Sequence, residues 1–539
     1  MTSTPTSVND GPYSTNCLVS PYFLLVHFIN IWVSVFLLFS TFLFYWNLTW
    51  DYFYLFIFIL PFEVFLSYFL IVFTALFISK LFLILLNLIY KPKEGVFKRE
   101  KSNKGYFFWS FRAVVKKWPI WLANMIPSSV LTNLLLTVFG IKTSFSNSIN
   151  NANIDTEFIE IGRDAIIGKG SFIKSSMVFQ EYLIIRKITI EDGVIIAPHS
   201  YVSPGTFIGE NTTLNTLSIT KLNQHLDKDS IYSGYPAKKI NTSQHSHGTL
   251  TEGEMEVLYN EKIKETPNIQ SEINKNELNQ PPEPKFVKNF STYIGLFAFI
   301  YFFSYSIPIF SFIIYIKAVF TPYVVLSSIP PDFTALILIL TPTLFLVFYA
   351  LNIALTVIIT KFWYYIICRI NEPKEGIYHW SNKSKDYEFY FLRSFLLRYV
   401  KWKVQRGPFP WLIKGVFNFI GSCSIGENCI IEDLYLSKEF NEIGNNVYLG
   451  KILLTNQLWD KNLTVKGVQI GDNVVISDGC CIAPGNVLED NISILPFSIT
   501  SKAAHLSSNS IYYDAPIKRI QNSQELVDIM NLREDFSDE

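Results

Sequence analysis

A six-residue period limits the fold of this chain more than any other feature. From Ile190 the sequence divides into IEDGVI, IAPHSY, VSPGTF, IGENTT and LNTLSI, and from Ile470 into IGDNVV, ISDGCC, IAPGNV, LEDNIS and ILPFSI. Every hexad opens on an aliphatic residue, and nearly all have a small or β-branched fifth residue. Shorter fragments starting at Ile161 and Ile425 keep the same period.

Such a period predicts short strands that turn a corner after each repeat. The opening aliphatic residues then stack inward, and the small fifth residues fill the tight interior beside each corner. Gly, Asn and Asp occupy the corners, where a positive φ costs them little. We therefore expect a parallel β-helix with triangular coils over residues 141–240 and another over residues 422–520.

The chain is an internal duplication. KPKEGVF at Lys91 recurs as EPKEGIY at Glu372, 281 residues later, and SIYSGYPAKKI at Ser230 recurs as SIYYDAPIKRI at Ser510, 280 residues later. We therefore expect two units with the same order of parts.

Long apolar stretches precede each predicted β-helix. No Asp, Glu, Lys or Arg occurs between Asp10 and Asp51 or between Lys288 and Lys317. About 20 apolar residues cross a hydrocarbon core of about 30 Å, so we expect two transmembrane helices within 18–90 and two within 289–371. Lys and Arg gather after the second helix of each unit, which places both β-helices in the cytosol. The sequence thus predicts a multi-pass integral membrane protein in contact with the bilayer.

The remaining segments connect these parts. Residues 1–17 form an N-terminal tail. The aromatic and basic segments 91–140 and 372–421 are expected to form amphipathic helices at the lipid headgroups, with packing against the cytosolic domain as the alternative. Residues 241–288 have the composition of a flexible linker, and residues 521–539 form an acidic tail.

Composition and cysteine spacing exclude several function classes. Lys plus Arg equals Asp plus Glu at 45 each, so the chain lacks the basic surplus of a nucleic-acid binder. The six cysteines show neither a CxxC pair nor the spacing of a zinc site. We therefore expect no nucleic acid and no metal among the partners of this chain.

The hexads, together with SGYPAKKI in the first unit, resemble the left-handed hexapeptide-repeat acyltransferases, whose coils often end in Gly-x-Pro-Ala-Lys-x-Ile. The corresponding segment of the second unit, YDAPIKRI, keeps only the Pro, the basic pair and the final Ile. The order of membrane spans, Pro-Lys-Glu-Gly segment, interrupted β-helix and repetition also resembles the membrane-linked tandem C-terminal units of polylysine-synthetase-type nonribosomal peptide synthetases.

The resemblance implies transfer of an acyl or aminoacyl group from a thioester, either acyl-CoA or a carrier-protein thioester, to a small-molecule acceptor. In the narrower family the product is an amide. No bound cofactor is implied. Hexapeptide domains often form trimers with sites between neighbours, so an oligomer is a further expectation.

Histidine is the usual general base of these acyltransferases, because a neutral imidazole accepts a proton near pH 7. His225 and His505 recur at matching places in NQHLDKDS and AAHLSSNS and form our candidate pair, with a shared loop hydrogen bond as the alternative. His199 in IAPHSY is a third candidate, with a solvent-facing corner residue as the alternative. The remaining histidines are not expected to act in catalysis: His27, His245, His247 and His379.

The synthetase-type family tends to carry a Thr-His and then an Asp-Arg in the insertion that interrupts its β-helix. In the second unit TNQLWDK gives Thr455, Asn456, Asp460 and Lys461, so Asn replaces the histidine. VFQEYLIIRK in the first unit lacks the Thr and the Asp. A catalytically silent β-helix scaffold therefore stays open beside the transferase.

A transporter is the least favoured function. Glu63 is a carboxylate within an apolar span, where it is costly unless paired. Its counterpart in the second unit is Leu344, so the repeated unit as such does not require an acid there.

Overall fold

The computed structural model describes residues 21–123, 125, 129–149, 152–240, 290–325, 331–378, 385–405, 407–432, 435–459 and 463–532. The predictions for residues 1–17 and for the linker 241–288 lie outside these ranges. The α-helices are α1 (Pro21–Thr49), α2 (Phe53–Ile89), α3 (Lys104–Ala123), α4 (Ser129–Phe139), α5 (Phe290–Tyr315), α6 (Pro331–Ile370), α7 (Lys385–Gln405), α8 (Ile413–Ile420) and α9 (Ser523–Met530). A π-helical segment, Ile316–Val325, continues α5.

Four of the described helices are long and apolar enough to cross a membrane, over Tyr22–Thr49, Phe53–Ile89, Ser291–Val324 and Phe333–Ile370. The prediction of two such helices before each β-helix is confirmed. Helices α1 and α2 pack as a pair, as do α5 and α6, and α1 also contacts α6. The two pairs therefore form one helical bundle.

The first β-helix has three faces of parallel strands. Its first face contains β4 (Ile159–Ile161), β9 (Ile188–Ile190), β12 (Phe207–Ile208) and β14 (His225–Leu226). Its second face contains β2 (Ser148–Ile149), β5 (Ile166–Ile167), β10 (Ile195–Ile196), β13 (Thr213–Leu214) and β15 (Ile231–Ser233). Its third face contains β3 (Asn153–Ile154), β6 (Phe172–Ile173) and β11 (Tyr201–Val202).

The second β-helix repeats this arrangement. Its first face contains β18 (Ser424–Ile425), β21 (Asn441–Ile443), β26 (Val468–Ile470), β29 (Val487–Leu488) and β31 (His505–Leu506). Its second face contains β19 (Ile430–Ile431), β22 (Tyr448–Leu449), β27 (Val475–Ile476), β30 (Ile492–Ile494) and β32 (Ser510–Tyr513). Its third face contains β20 (Tyr435–Leu436), β23 (Leu453–Leu454) and β28 (Cys481–Ile482).

The strand register confirms the tandem left-handed parallel β-helices. Ile195 pairs with Thr213 and Val475 with Ser493, so one coil takes three hexads. The opening aliphatic residues and the fifth residues of the hexads are buried in both units. The exit sequences reverse the chain, and β16 (Lys238–Ile240) and β33 (Lys518–Arg519) pair antiparallel with the last strand of the second face.

An antiparallel hairpin interrupts each β-helix. It consists of β7 (Ser176–Phe179) and β8 (Tyr182–Ile185) in the first unit, and of β24 (Gln457–Trp459) and β25 (Leu463–Val465) in the second. The residues after Pro-Lys-Glu add a third strand, β1 (Gly95–Lys98) or β17 (Gly376–Tyr378). The repeated glutamate accepts a backbone N–H just beyond the hairpin, from Lys187 to Glu94 at 2.8 Å and from Gly467 to Glu375 at 2.9 Å.

Helix α3 lies inside the protein, although its segment was expected at the lipid headgroups. Trp109 and Trp118 are buried, and the helix packs on α1 and α2. Arg112 and Lys116 bind Glu157 of the first β-helix at 2.9 and 2.6 Å. Burial alone would raise the pKa of Glu157, but Lys116 and Arg112 outweigh it and lower this pKa to about 2. These two cations therefore point to the first β-helix, and the placement of the whole segment at the headgroups stays a prediction.

The predicted acidic tail, 521–539, begins with an ordered helix. Leu526, Ile529 and Met530 of α9 are buried in a cluster with residues of both β-helices. The backbone N–H of Leu222 donates to the carbonyl of Met530 at 3.1 Å. The end of the second unit is thereby attached to the first β-helix. Residues 533–539 lie outside the described ranges.

We expect Val194→Leu to lower the free energy of unfolding by about 1–3 kcal/mol, because the extra methylene overpacks a tight corner. Val194 is fully buried, whereas the adjacent Ile195 points outward. The control Ile195→Leu should stay within about 0.5 kcal/mol of the wild type. Denaturant unfolding of the full chain in detergent measures both. Equal effects would contradict the inward and outward assignment.

Candidate functional site

The two β-helices pack against each other through different faces. Phe172 and Tyr201, which point outward from the third face of the first β-helix, contact Phe497 with ring centres 5.6 and 6.1 Å apart. The β7–β8 hairpin joins a buried apolar cluster with Tyr448 and Val475 on the second face of the second β-helix. The third face and the hairpin of the first β-helix therefore pack on the second face of the second β-helix.

Buried charges lie at this junction. Lys174 of the first unit is 3.5 Å from Asp155 and 3.5 Å from Asp478 of the second unit. Burial alone would lower the pKa of Lys174, but Asp478 and Asp155 outweigh it and raise this pKa. The Lys451 ammonium also donates to Asn153 across the junction. These polar contacts fix the relative register of the two β-helices.

Glu432 lies fully buried in the same region. Its carboxyl oxygen Oε1 accepts a hydrogen bond from the Tyr448 hydroxyl at 3.4 Å. Burial raises the pKa of Glu432 well above its usual value; Lys174 opposes this shift, and Asp478 and Asp155 reinforce it. The Arg99 guanidinium lies 5.3 Å from the centre of the Tyr448 ring, on the side of a large cleft.

This cleft has a volume of about 1210 Å³ and is built by both units. The first unit contributes Arg99, Lys101 and the hairpin turn at Gln180 and Glu181. The second unit contributes the outer surface of its second face and the corner beside it. Apolar side chains also line the cleft: Trp411, Ile413, Ile430, Val475 and Ile511.

A ladder of asparagines forms the corner of the second β-helix that lines this cleft. The Nδ2 groups donate along the ladder from one coil to the next at 3.1 to 3.2 Å. Every member has a positive φ, which Asn adopts more readily than most residues. The ladder consists of Asn428, Asn446, Asn473, Asn491 and Asn509.

The cleft is positively charged. Arg99, Lys101, Lys414 and Arg519 line it, and Glu181 is the only carboxylate among its described lining residues. Within the described part of the chain, Lys101, Lys414 and Arg519 have no ion-pair partner. A concave surface with such an excess of cations attracts anionic ligands. The adjoining apolar side chains suit a hydrocarbon group.

The structure does not bring the three candidate histidines together, and none of them lines the cleft. His225 is exposed on the first face of its β-helix and stacks on Phe207 with ring centres 4.6 Å apart. His505 is exposed at the equivalent place, and its Nε2 lies 3.3 Å from Glu489. His199 is an exposed corner residue with φ of 57°. Each assignment to catalysis stays a prediction.

The residues at the predicted Thr-His position support the hairpin. The Asn456 amide donates to the backbone carbonyl of Glu439 at 3.0 Å and accepts from Tyr390 at 3.3 Å. The Thr455 hydroxyl donates to the carbonyl of Gln457 at 2.8 Å. Asp460 and Lys461 lie outside the described residues, as do His245, His247 and His379. His27 is buried in α1 with its Nε2 3.3 Å from the carbonyl of Pro408.

Sequence reasoning missed the cleft. In the sequence, Arg99 and Lys101 stand out only as part of the cluster of Lys and Arg that follows the second apolar stretch. The asparagine ladder had a detectable signal, because Asn recurs at the same corner of every coil in the second unit and not in the first. The burial of Lys174 beside Asp478 had no detectable signal in the sequence, since the two residues are distant along the chain.

The strand pairing and the hexads define each unit as a hexapeptide-repeat β-helix. No family model matches the sequence, and no curated protein matches it. The narrower resemblance to synthetase units stays a prediction.

Three solved structures illustrate the likeness. A hexapeptide-repeat containing acetyltransferase from Vibrio cholerae is 16% identical over 22% of this chain and 83% of that chain, with a TM-score of 0.19. The N-acyltransferase AntD from Bacillus cereus, in complex with coenzyme A, is 22% identical over 23% and 88%, with a TM-score of 0.15. A maltose O-acetyltransferase from Clostridium difficile is 18% identical over 31% and 87%, with a TM-score of 0.17.

We expect Glu432→Gln to stabilise the chain increasingly as the pH rises from 5 to 8. The pKa of Glu432 is raised in the folded chain, so the folded state retains a proton that the unfolded state loses above about pH 4.3. Wild-type stability therefore falls with pH by up to about 1.4 kcal/mol per unit until the folded pKa is reached. Glutamine does not titrate and avoids this loss.

Thermal unfolding in detergent at pH 5, 6.5 and 8 measures this difference. The exposed Glu210 supplies the control, because Glu210→Gln should show no such trend. A Glu432→Gln advantage that is constant or shrinks with pH would contradict the expectation.

Proposed function

We propose that this protein is a membrane-anchored transferase that takes an acyl or aminoacyl group from a thioester donor, and that the cleft between its units binds the donor. The observation that carries this proposal is the combination of four cations, an amide ladder and apolar side chains in one cleft. Coenzyme A and the prosthetic arm of a carrier protein both join phosphate groups to a thioester. Such donors match this lining.

The cations and amides act on the phosphate-bearing part of the donor. Lys414 and Arg519 lie on the second unit, and Arg99 and Lys101 on the first. Their distribution over two units that already pack together gives a binding surface that needs no folding at the moment of binding. Trp411 and Ile430, which line the cleft and are partly exposed, would receive the hydrocarbon part.

The transfer requires a base. The acceptor amine or hydroxyl attacks the thioester carbonyl, the carbon–sulfur bond breaks, the thiol leaves, and the proton of the acceptor passes to the base. Of the three candidate histidines, His505 has a carboxylate, Glu489, in position to orient its ring. His505 on β31 lies outside the cleft but on the coil that supplies Asn509 and Ser510 to it, so within this proposal the acceptor approaches the donor from the first-face side of the asparagine ladder. We therefore assign the base to His505 within this proposal.

Removing the unpaired cations of the cleft tests donor binding. Lys414→Ala combined with Arg519→Ala should raise KM for a phosphate-bearing thioester about tenfold, equivalent to about 1.4 kcal/mol. A matched control removes two cations that do not line the cleft, Lys221 and Lys228, and should leave KM unchanged. The assay measures thiol release by the full chain in detergent from acetyl- and aminoacyl-thioesters. Equal effects of both double variants would place the donor elsewhere.

Replacing the proposed base tests the chemistry. His505→Ala should lower kcat by about 10²- to 10⁴-fold and abolish the rise of kcat with pH that a histidine base produces. Glu489→Gln should cause a smaller loss. His225→Ala and His199→Ala should each retain activity, and a loss in either with His505→Ala still active would move the base to that residue.

A catalytically silent scaffold is the second candidate. It is favoured by one observation, that the three histidines lie apart on exposed surfaces and outside the cleft. The assay that measures thiol release also decides this question, since a scaffold would bind partners without turnover on any thioester tested.

A further inference from the structure

The second faces of the two β-helices have matching outward rows but different surroundings. On the second β-helix, the side chains that point outward from successive strands of this face are buried beneath the first unit. They are two apolar residues, one hydroxyl residue and a further apolar residue: Tyr448, Val475, Ser493 and Ile511. The corresponding row of the first β-helix keeps this pattern: Ile166, Ile195, Thr213 and Ile231. Tyr448 and Val475 are 4% and 3% exposed, whereas Ile166 and Ile195 are 45% and 40% exposed.

The third faces show the reverse. On the first β-helix the outward residues Phe172, Tyr201 and Ile219 are buried against the second unit. The corresponding residues of the second β-helix are Leu453, Cys481 and Ile499, and Leu453 and Ile499 are exposed. The hairpins also differ, since an outward residue of the first is buried in the contact between the units and its counterpart in the second is exposed.

Val178 of the first hairpin is buried in the junction. Its counterpart in the second hairpin, Leu458, is exposed. Outward residues on the third face and hairpin of the second unit are therefore exposed, whereas the equivalent residues of the first unit are buried in the contact between the units.

The contact within the chain joins unlike surfaces, so it is heterologous. Such a contact leaves one surface of each type free at its two ends, and these two are complementary. Here they are the second face of the first β-helix and the third face of the second. We propose that a second copy of this chain docks its third face and hairpin from the second unit onto the second face of the first β-helix.

One pair of residues represents the proposed contact. Phe172 and Phe497 meet within the chain with ring centres 5.6 Å apart. Their counterparts in the repeat are Leu453 and Leu217, which are 40% and 64% exposed. Leu217 also has the same left-handed φ as Phe497, at 59° against 58°. Leu217 of one copy then meets Leu453 of the other.

The sequence of the linker does not suit these surfaces. Residues 241–288 are rich in Asn, Gln, Glu and Lys, with few apolar residues. The free faces instead match the apolar pattern of a β-helix surface. Both copies share one membrane, so repeated contacts stay in its plane and form a ring or a row.

Charge complementation tests the proposal. The full chain in detergent is measured by light scattering coupled to size-exclusion chromatography. The wild type should have the mass of two or more chains. Leu217→Asp and Leu453→Lys should each increase the monomer fraction at least tenfold, because each places one charge in an apolar contact. The double variant should restore the larger assembly, because the aspartate of one copy then faces the lysine of the other.

Val487→Asp, at an outward position of the first face, is the control and should leave the mass unchanged. A monomeric wild type would overturn the proposal, as would a double variant no more associated than the single ones. Neither result depends on catalysis, so the proposal can fail while the proposed function stands.

Discussion

Each rung of a β-helix satisfies its backbone hydrogen bonds with the rungs above and below it, and this constraint organises the whole chain. The pattern fixes which residues point inward, where only aliphatic and small side chains fit. It leaves the outward residues free to differ. The two units therefore keep the same interior while their outer surfaces serve different contacts.

The cleft follows from that freedom. The first unit places its hairpin and third face on the second face of the second β-helix, and the buried Lys174 and Asp478 hold the two in register. The hairpin does not cover the whole face. The uncovered part lies between the asparagine ladder and Arg99, which directly follows β1. A binding site between units thus arises within one chain, since duplication supplied both of its walls.

Most of the fold could be predicted from the sequence, because its determinants are local and periodic. The hexads predicted the inward residues Ile190 and Val194, and long apolar stretches predicted the four long helices. The position of α3 could not be predicted in the same way. Trp and Lys at alternating places suit a headgroup region and a protein interior equally, and only the partner Glu157 decides between them.

The site was less accessible to prediction for a physical reason. Histidine is recognisable as a residue type, but a general base depends on its neighbours in space, and His225 and His505 have different neighbours despite their matching positions. The cleft depends on residues from both units, such as Lys101 and Arg519, whose proximity follows from the docking of the β-helices. A single sequence does not encode that docking in any short pattern.

The central claim is that the cleft built by both units is the binding site. An experimental structure of the full chain with a non-hydrolysable acyl-CoA analogue tests it most directly. The account predicts density for the ligand between the asparagine ladder and Arg99, with its phosphates near Lys414 and Arg519. Ordered ligand on any other surface, with this cleft empty, would contradict the account.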